Sequence, residues 1–278
     1  MRAKNFFKQW YIFIFLALIY IPLIVIILLS FNGATTRGNI NTNFGTPTAD
    51  NYLNLFKDNQ FVNALLNSLL LGVTITPVIV IIATMTCFGI WQARKAQTKS
   101  VLLASNLTII SPDAITGISL LVMFSATLIP LGVDLGFFTV ALAHISFGIP
   151  YAIIAIYPRM SKMNMNLIMA SQDLGYNKFQ TFFKVVIPYL APAIISGASI
   201  AFAMSLDDFI ITNLVNGSFQ TIGTAIYSTR KGIKAWVVTF GAIIVLITLA
   251  VTSIIAAKKY TSHKYAIRQK RIHKGGNN

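Results

Sequence analysis

The chain has 278 residues, 55% of them hydrophobic and only 10% charged, with a mean hydropathy of +0.71. Ordinary soluble domains are about 25% charged, so this composition excludes a soluble enzyme or binding domain and marks an integral membrane protein. The net charge of +15 raises nucleic acid as a partner, a reading that the placement of the charges removes below.

A spanning helix needs about 20 apolar residues. The first such stretch is Trp10 to Phe31, after a nine-residue N-terminus with Arg2, Lys4 and Lys8. It is 22 residues long, and a signal peptide has an apolar region of only about 7–15, so it reads as a retained span. Asn32 to Phe61 is a polar external loop. Within it Gly33 and Gly38 have phosphate-loop spacing, but Asn39 and Ile40 stand where Lys and Ser or Thr are needed, so no nucleotide site is read there. Val62 to Trp91, with Pro77, is the second span. Cys87, the single cysteine, lies inside it and excludes a disulfide framework or a cysteine-based metal site. Val101 to Ile129 is the third span, broken by Ser111-Pro112-Asp113, and Leu135 to Tyr157 is the fourth. The fourth contains His144, read as a hydrogen-bonded interior residue because no histidine pair has metal-ligand spacing. No cofactor or metal is expected. Ala193 to Val215 is the fifth span and carries Ser205-Leu206-Asp207-Asp208; Ala235 to Ala257 is the sixth. Lys258 to Asn278 is a basic tail that ends in Gly-Gly-Asn-Asn and is expected to be disordered. The fold class is thus all-α and integral to the membrane, with a six-helix domain over residues 10–257.

Orientation follows from Lys and Arg. With the N-terminus inside, cytoplasmic segments hold 17 of the 22 basic residues and external ones five, among them Arg37, Lys57, Arg230, Lys231 and Lys234. Both termini are then cytoplasmic, and topology accounts for the positive charge without nucleic acid.

Three of the seven acids lie in the expected spans: Asp113, Asp207 and Asp208. Each central Asp costs about 2.5–3.5 kcal/mol to insert. At 1.5 Å per residue, Asp113 lies about 18 Å from the cytoplasmic start of its helix, and Asp207 and Asp208 about 21–23 Å from the start of theirs. Ser205, Asp208 and Thr212 share a helical face (i, i+3, i+7), with Asp207 pointing roughly 100° away. Pro112 frees backbone carbonyls beside Asp113, which at that depth must line a cavity or be buried in protein. An anionic, carbonyl-rich lining suits a cation with several amines. The alternative is that the acids pair with basic groups of another subunit, since the spans contain no Lys or Arg.

Between the fourth and fifth spans, Met163 to Pro192 is polar. Leu167, Ala170, Ser171 and Leu174 fall on one helical face, Gly175 stops or bends that helix, and Phe179, Phe182, Phe183 and Val186 repeat the spacing. Pro188 is expected to end the second piece. Two short amphipathic helices across a glycine hinge make a docking surface. The alternative, an interfacial pair lying on lipid, has no need of the small residues Ala170 and Ser171. This segment resembles the cytoplasmic loop of ABC-importer permeases, which carries Glu-Ala-Ala, three residues, Gly, nine residues, then Ile-x-Leu-Pro. Met169-Ala170-Ser171, Gly175 and Val185 to Pro188 keep that spacing, with Met169 in place of Glu in a chain that contains no Glu.

Ser111-Pro112-Asp113, Ser205 to Asp208, Leu214 to Ser218 and Ile226-Tyr227-Ser228 are in turn similar to permeases of spermidine/putrescine importers, over about residues 10 to 257. The resemblance implies that residues 163–188 form the ATPase coupling loop, with contacts carried by Ala170, Ser171, Asp173, Gly175, Phe179 and Pro188. It implies that Asp113, Asp207 and Asp208, with Ser205 and Thr212, line a polyamine path. It also implies a second homologous permease, two ATP-binding subunits that hydrolyse ATP, an external substrate-binding protein, and location in the plasma membrane. Phe44 and Tyr52 of the first external loop are candidates for cation–π contacts. The rivals are an importer of another cationic or zwitterionic solute and a proton-coupled carrier with the acids as relays. A membrane-embedded enzyme lacks a His–acid–Ser or metal constellation here.

Overall fold

The computed structural model describes residues 2–35, 38–41, 43, 45–229 and 232–275. Among these there is no β-strand beyond isolated bridges, and six helices are long and apolar enough to cross a membrane. The chain divides into two compact units, Met1–Asn59 with Thr229–Asn278, and Gln60–Ser228.

In the first unit, α1 (Arg2–Ser30) packs against α12 (Ala235–Gly275), and these supply the spans Phe13–Ser30 and Ala235–Lys259. The loop after α1 carries the one-turn α2 (Asp50–Asn54) and is tied down by asparagines. Asn51 Nδ2 donates to the carbonyls of Ser30 (2.9 Å) and Asn32 (2.7 Å). Helix α12 does not stop at the expected tail: its backbone is helical to Gly275. Residues 258–274 contain no Gly or Pro and seven Lys or Arg, which are good helix formers. The expected disorder of the tail is thus corrected for residues 258–275; Gly276 onward falls outside the described residues, as do Arg37, Phe44, Arg230 and Lys231.

The second unit contains α3 (Asn59–Gln92), α4 (Lys95–Ile110), α5 (Asp113–Thr127), α6 (Phe137–Met160), α7 (Met165–Asp173), α8 (Lys178–Thr181), α9 (Ile187–Asp207), α10 (Ile210–Val215) and α11 (Ile222–Ser228). Lipid gives apolar helices no hydrophobic reason to associate, so close packing over small residues must hold them. Gly148 of α6 leaves the space that Ile79 of α3 fills; a Cβ there would lie 2.6 Å from the Ile79 Cδ1. Gly197 of α9 seats Ile156 of α6 in the same way, at 3.2 Å.

Three departures from the expected elements matter for the site. The third expected span is two helices, α4 and α5, with Ser111 and Pro112 extended between them. Only the second, continued to Leu131, is apolar and long enough by itself to span. The fifth is also two helices, because α9 ends at Asp207 and Asp208 is extended (φ −67°, ψ 128°) before α10. The second piece of the polar segment does not end at Pro188. It runs from α8 through a π turn, Phe182–Val186, into α9 without a break. A proline removes one N–H and crowds the carbonyl four residues back. The wider turn, with Ile187 N–H bonded to Phe182 O, absorbs both.

Gly217 closes the loop after α10 with φ +53°, and a Cβ there would collide with the Leu135 carbonyl. Gly217→Ala combines left-handed strain with overpacking and is expected to cost roughly 2–5 kcal/mol, read as a lowered melting temperature of the purified protein in detergent.

Candidate functional site: an acidic cavity beside a helix break

The breaks at Pro112 and Asp208 place the three acids singled out in the expected spans around one cavity of about 190 Å³. Asp113 opens α5, Asp207 ends α9, and Asp208 lies in the break; Phe147 and Tyr151 of α6 and Phe209 supply aromatic walls. Asp207 does not point away from Asp208's surroundings, as a continuous helix requires, since the chain turns between them. Asp113 and Asp207 are exposed, and neither carboxylate hydrogen-bonds or pairs with a cation among the described residues.

Asp208 is held differently. Its Oδ2 accepts from Thr212 N (2.8 Å) and Thr212 Oγ1 (2.6 Å), and its Oδ1 accepts a longer bond from Ile211 N (3.3 Å). The carboxylate therefore caps the free N–H groups of α10, a favourable place for a negative charge. An Asp that caps the next helix also interrupts the one before it, the physical reason for the break. Behind the carboxylate stands His144, fully buried, with Nδ1 3.0 Å from Ser205 Oγ, Nε2 2.8 Å from Thr212 Oγ1 and Nε2 3.6 Å from Asp208 Oδ2. Ser205 and Thr212 do not line the cavity; both are buried and bonded to His144. The expectation that any pairing partner for these acids comes from another subunit is corrected for Asp208: the partner is a histidine of the same chain. Counting only Lys and Arg missed it. His144, Phe147 and Tyr151, spaced i, i+3, i+7, form a polar-aromatic face of α6 whose signal was in the sequence.

The polar segment is a built turn. Asn164 caps α7 through Asn166 N (3.0 Å), and Asn177 and Gln180 cap α8 reciprocally. Gly175, at φ +88°, ends α7 with Gly175 N to Gln172 O (2.8 Å) and Tyr176 N to Ser171 O (3.1 Å), the paired bonds of a Schellman cap. The expected face is redistributed: Ile168 and Ser171 turn inward, whereas Leu167, Ala170, Asp173 and Leu174 are exposed. Ser171 Oγ meets Thr181 Oγ1 at 2.9 Å, tying α7 to α8. Leu174 is 80% and Phe179 72% exposed, and Pro188 is exposed as well. Ser171→Ala leaves Thr181 without that partner. It is expected to loosen the turn by about 1 kcal/mol, seen as faster proteolysis between residues 173 and 178 and a modest loss of function.

Of the aromatic candidates in the first loop, Phe44 lies outside the described residues. Tyr52 is engaged internally, with its hydroxyl 2.5 Å from Ser30 Oγ and its ring 5.1 Å from Phe31.

The family profile described as "binding-protein-dependent transport system inner membrane component" matches residues 85–258, more than half the chain, including the cavity and the polar turn. This chain belongs to that family. A spermidine/putrescine transport system permease protein PotC homolog of Mycoplasma genitalium is 44% identical over 267 residues, 94% of each chain. The spermidine/putrescine transport system permease protein PotC of Haemophilus influenzae is 27% identical over 254 residues, 89% of this chain and 94% of that one. Among solved structures, a bacterial ABC transporter involved in import of the acidic polysaccharide alginate has a chain that shares the fold. It aligns with a TM-score of 0.64 at 15% identity, covering 93% of this chain and 96% of that one. The chain is therefore a multi-pass membrane protein and a transport component. A component of a binding-protein-dependent system needs a path through the membrane and a surface for its partners.

Proposed function

We propose that this permease is a translocating subunit of an ATP-driven polyamine importer, with spermidine or putrescine as substrate. The observation that carries the reading is the convergence of Asp113, Asp207 and Asp208 on one cavity, two of them exposed and unpaired among the described residues. Burying carboxylates in a membrane is costly unless a cation repays it. A polyamine brings several ammonium groups for the acids and methylene stretches for Phe147, Tyr151 and Phe209, whose rings also attract cations. The names of the relatives support the same substrate class.

The subunit works in the plasma membrane with both termini in the cytoplasm. It stands beside a second homologous permease, above two ATP-binding subunits, and receives substrate from an external binding protein. ATP hydrolysis takes place in those partners. The exposed turn, with Ala170, Asp173, Leu174 and Phe179, seats in the ATPase. Because α8 continues through the π turn into α9, displacement at Phe179 is carried along one helix to Asp207 at the cavity. Pro188 lies within this lever.

The test is ATP-dependent uptake of labelled spermidine into vesicles holding the reconstituted assembly with its binding protein. Uptake that needs ATP and is competed by putrescine supports the reading. Coupled ATP hydrolysis driven by a different solute, without spermidine uptake, keeps the permease and discards the substrate. Uptake driven by a proton gradient without ATP favours the carrier.

A further inference from the structure

We propose that His144 is a positioning residue that aims the Asp208 carboxylate, so that one oxygen is held by the protein and the other is offered to a substrate ammonium. This rests on the polyamine reading of the cavity and assigns a role to a side chain outside its lining.

Hydrogen-bond accounting gives the direction of each bond. Thr212 has one hydroxyl proton and gives it to Asp208 Oδ2 at 2.6 Å. The 2.8 Å contact between Thr212 Oγ1 and His144 Nε2 must then have the imidazole N–H as donor. In the tautomer that carries its proton on Nε2, Nδ1 accepts the Ser205 hydroxyl proton at 3.0 Å. The chain Ser205 to His144 to Thr212 to Asp208 is thereby satisfied at every link, in a region where His144, Ser205 and Thr212 are all buried. It ends on a single atom: Oδ2 takes both Thr212 donors and has His144 Nε2 at 3.6 Å, whereas Oδ1 takes only the 3.3 Å bond from Ile211 N. Oδ1 is the oxygen with capacity left for an amine entering the cavity that Asp208 lines.

Ser205 is on α9, Thr212 on α10 and His144 on α6. The imidazole thus bridges the two sides of the break and fixes its angle as well as the carboxylate. Without the Nε2–H donor, the Thr212 hydroxyl loses the partner that orients it, and Asp208 can rotate away from the cavity.

The experiment is a double-mutant cycle on ATP-dependent spermidine uptake by the reconstituted assembly, at saturating substrate-loaded binding protein. His144→Ala is expected to lower uptake about 10-fold, with the assembled complex recovered in normal amount. His144→Phe, which keeps ring volume without either nitrogen, carries the test should the alanine variant not assemble. His144→Gln, which restores an N–H at the reach of Nε2, is expected to recover most of the rate. In an Asp208→Asn background, His144→Ala is expected to cause no further loss, since the group it positions is already changed. Independent effects that multiply, or a glutamine variant as impaired as the phenylalanine one, would reduce His144 to packing and overturn the proposal. Failure of wild-type uptake is a different result, which strikes the polyamine reading itself.

Discussion

Asp208→Asn is expected to cut ATP-dependent spermidine uptake by about 10- to 100-fold while the assembly forms normally. Asparagine keeps a side-chain oxygen that can accept from Thr212 N, so the cap on α10 survives. What disappears is the charge. A hydrogen bond to a charged group contributes about 1.5–3 kcal/mol, and each 1.4 kcal/mol is a factor of ten. Asp208→Ala removes the cap as well and is expected to lower both uptake and stability, the second by about 0.5–2 kcal/mol. Asp207→Asn offers the contrasting case: its carboxylate is exposed and holds no element in place, so uptake should fall with the melting temperature unchanged. Uptake by Asp208→Asn equal to wild type, in an intact assembly, would remove these acids from the path and make them subunit contacts.

Gly175→Val is expected to uncouple the transporter: the assembly still hydrolyses ATP, but uptake falls at least about tenfold. At φ +88° a β-branched residue is strained by about 1–2 kcal/mol or more. Nothing lies within 4 Å of a Cβ built there, so within this chain the defect is conformational and not a clash. Helix α7 has only nine residues, a length that is marginal without its caps, and losing the Schellman bonds would let it fray. Moving a two-state equilibrium from 1:99 to 99:1 takes about 5.5 kcal/mol, which a frayed turn cannot transmit. Gly175→Asn separates conformation from contact, because asparagine tolerates the left-handed region. Recovery in that variant assigns the defect to the turn; failure of both assigns it to side-chain volume against the partner. Normal uptake by Gly175→Val would sink the lever.

The sequence by itself determined the class, the number of candidate spans, the polar turn and the three misplaced acids, but not the bounds of the third and fifth spans. These are local or compositional facts. An apolar run of about 20 residues has one stable home, a glycine and two asparagine caps specify a turn within the 14 residues from Asn164 to Asn177, and an aspartate in such a run is conspicuous wherever the chain later goes. Local rules also misled where two outcomes share one signature. Asp208 reads equally as a helix-face residue and as the cap of a new helix, and Pro188 reads as a stop unless the preceding turn widens to receive it. The tertiary structure alone decided the rest. His144 lies 61 residues from Ser205 and 68 from Thr212, and no periodicity spans such a distance. Packing of α6 on α9 and α10 brings the imidazole to the break, and the cost of leaving a buried polar group unpaired makes those three side chains satisfy one another there.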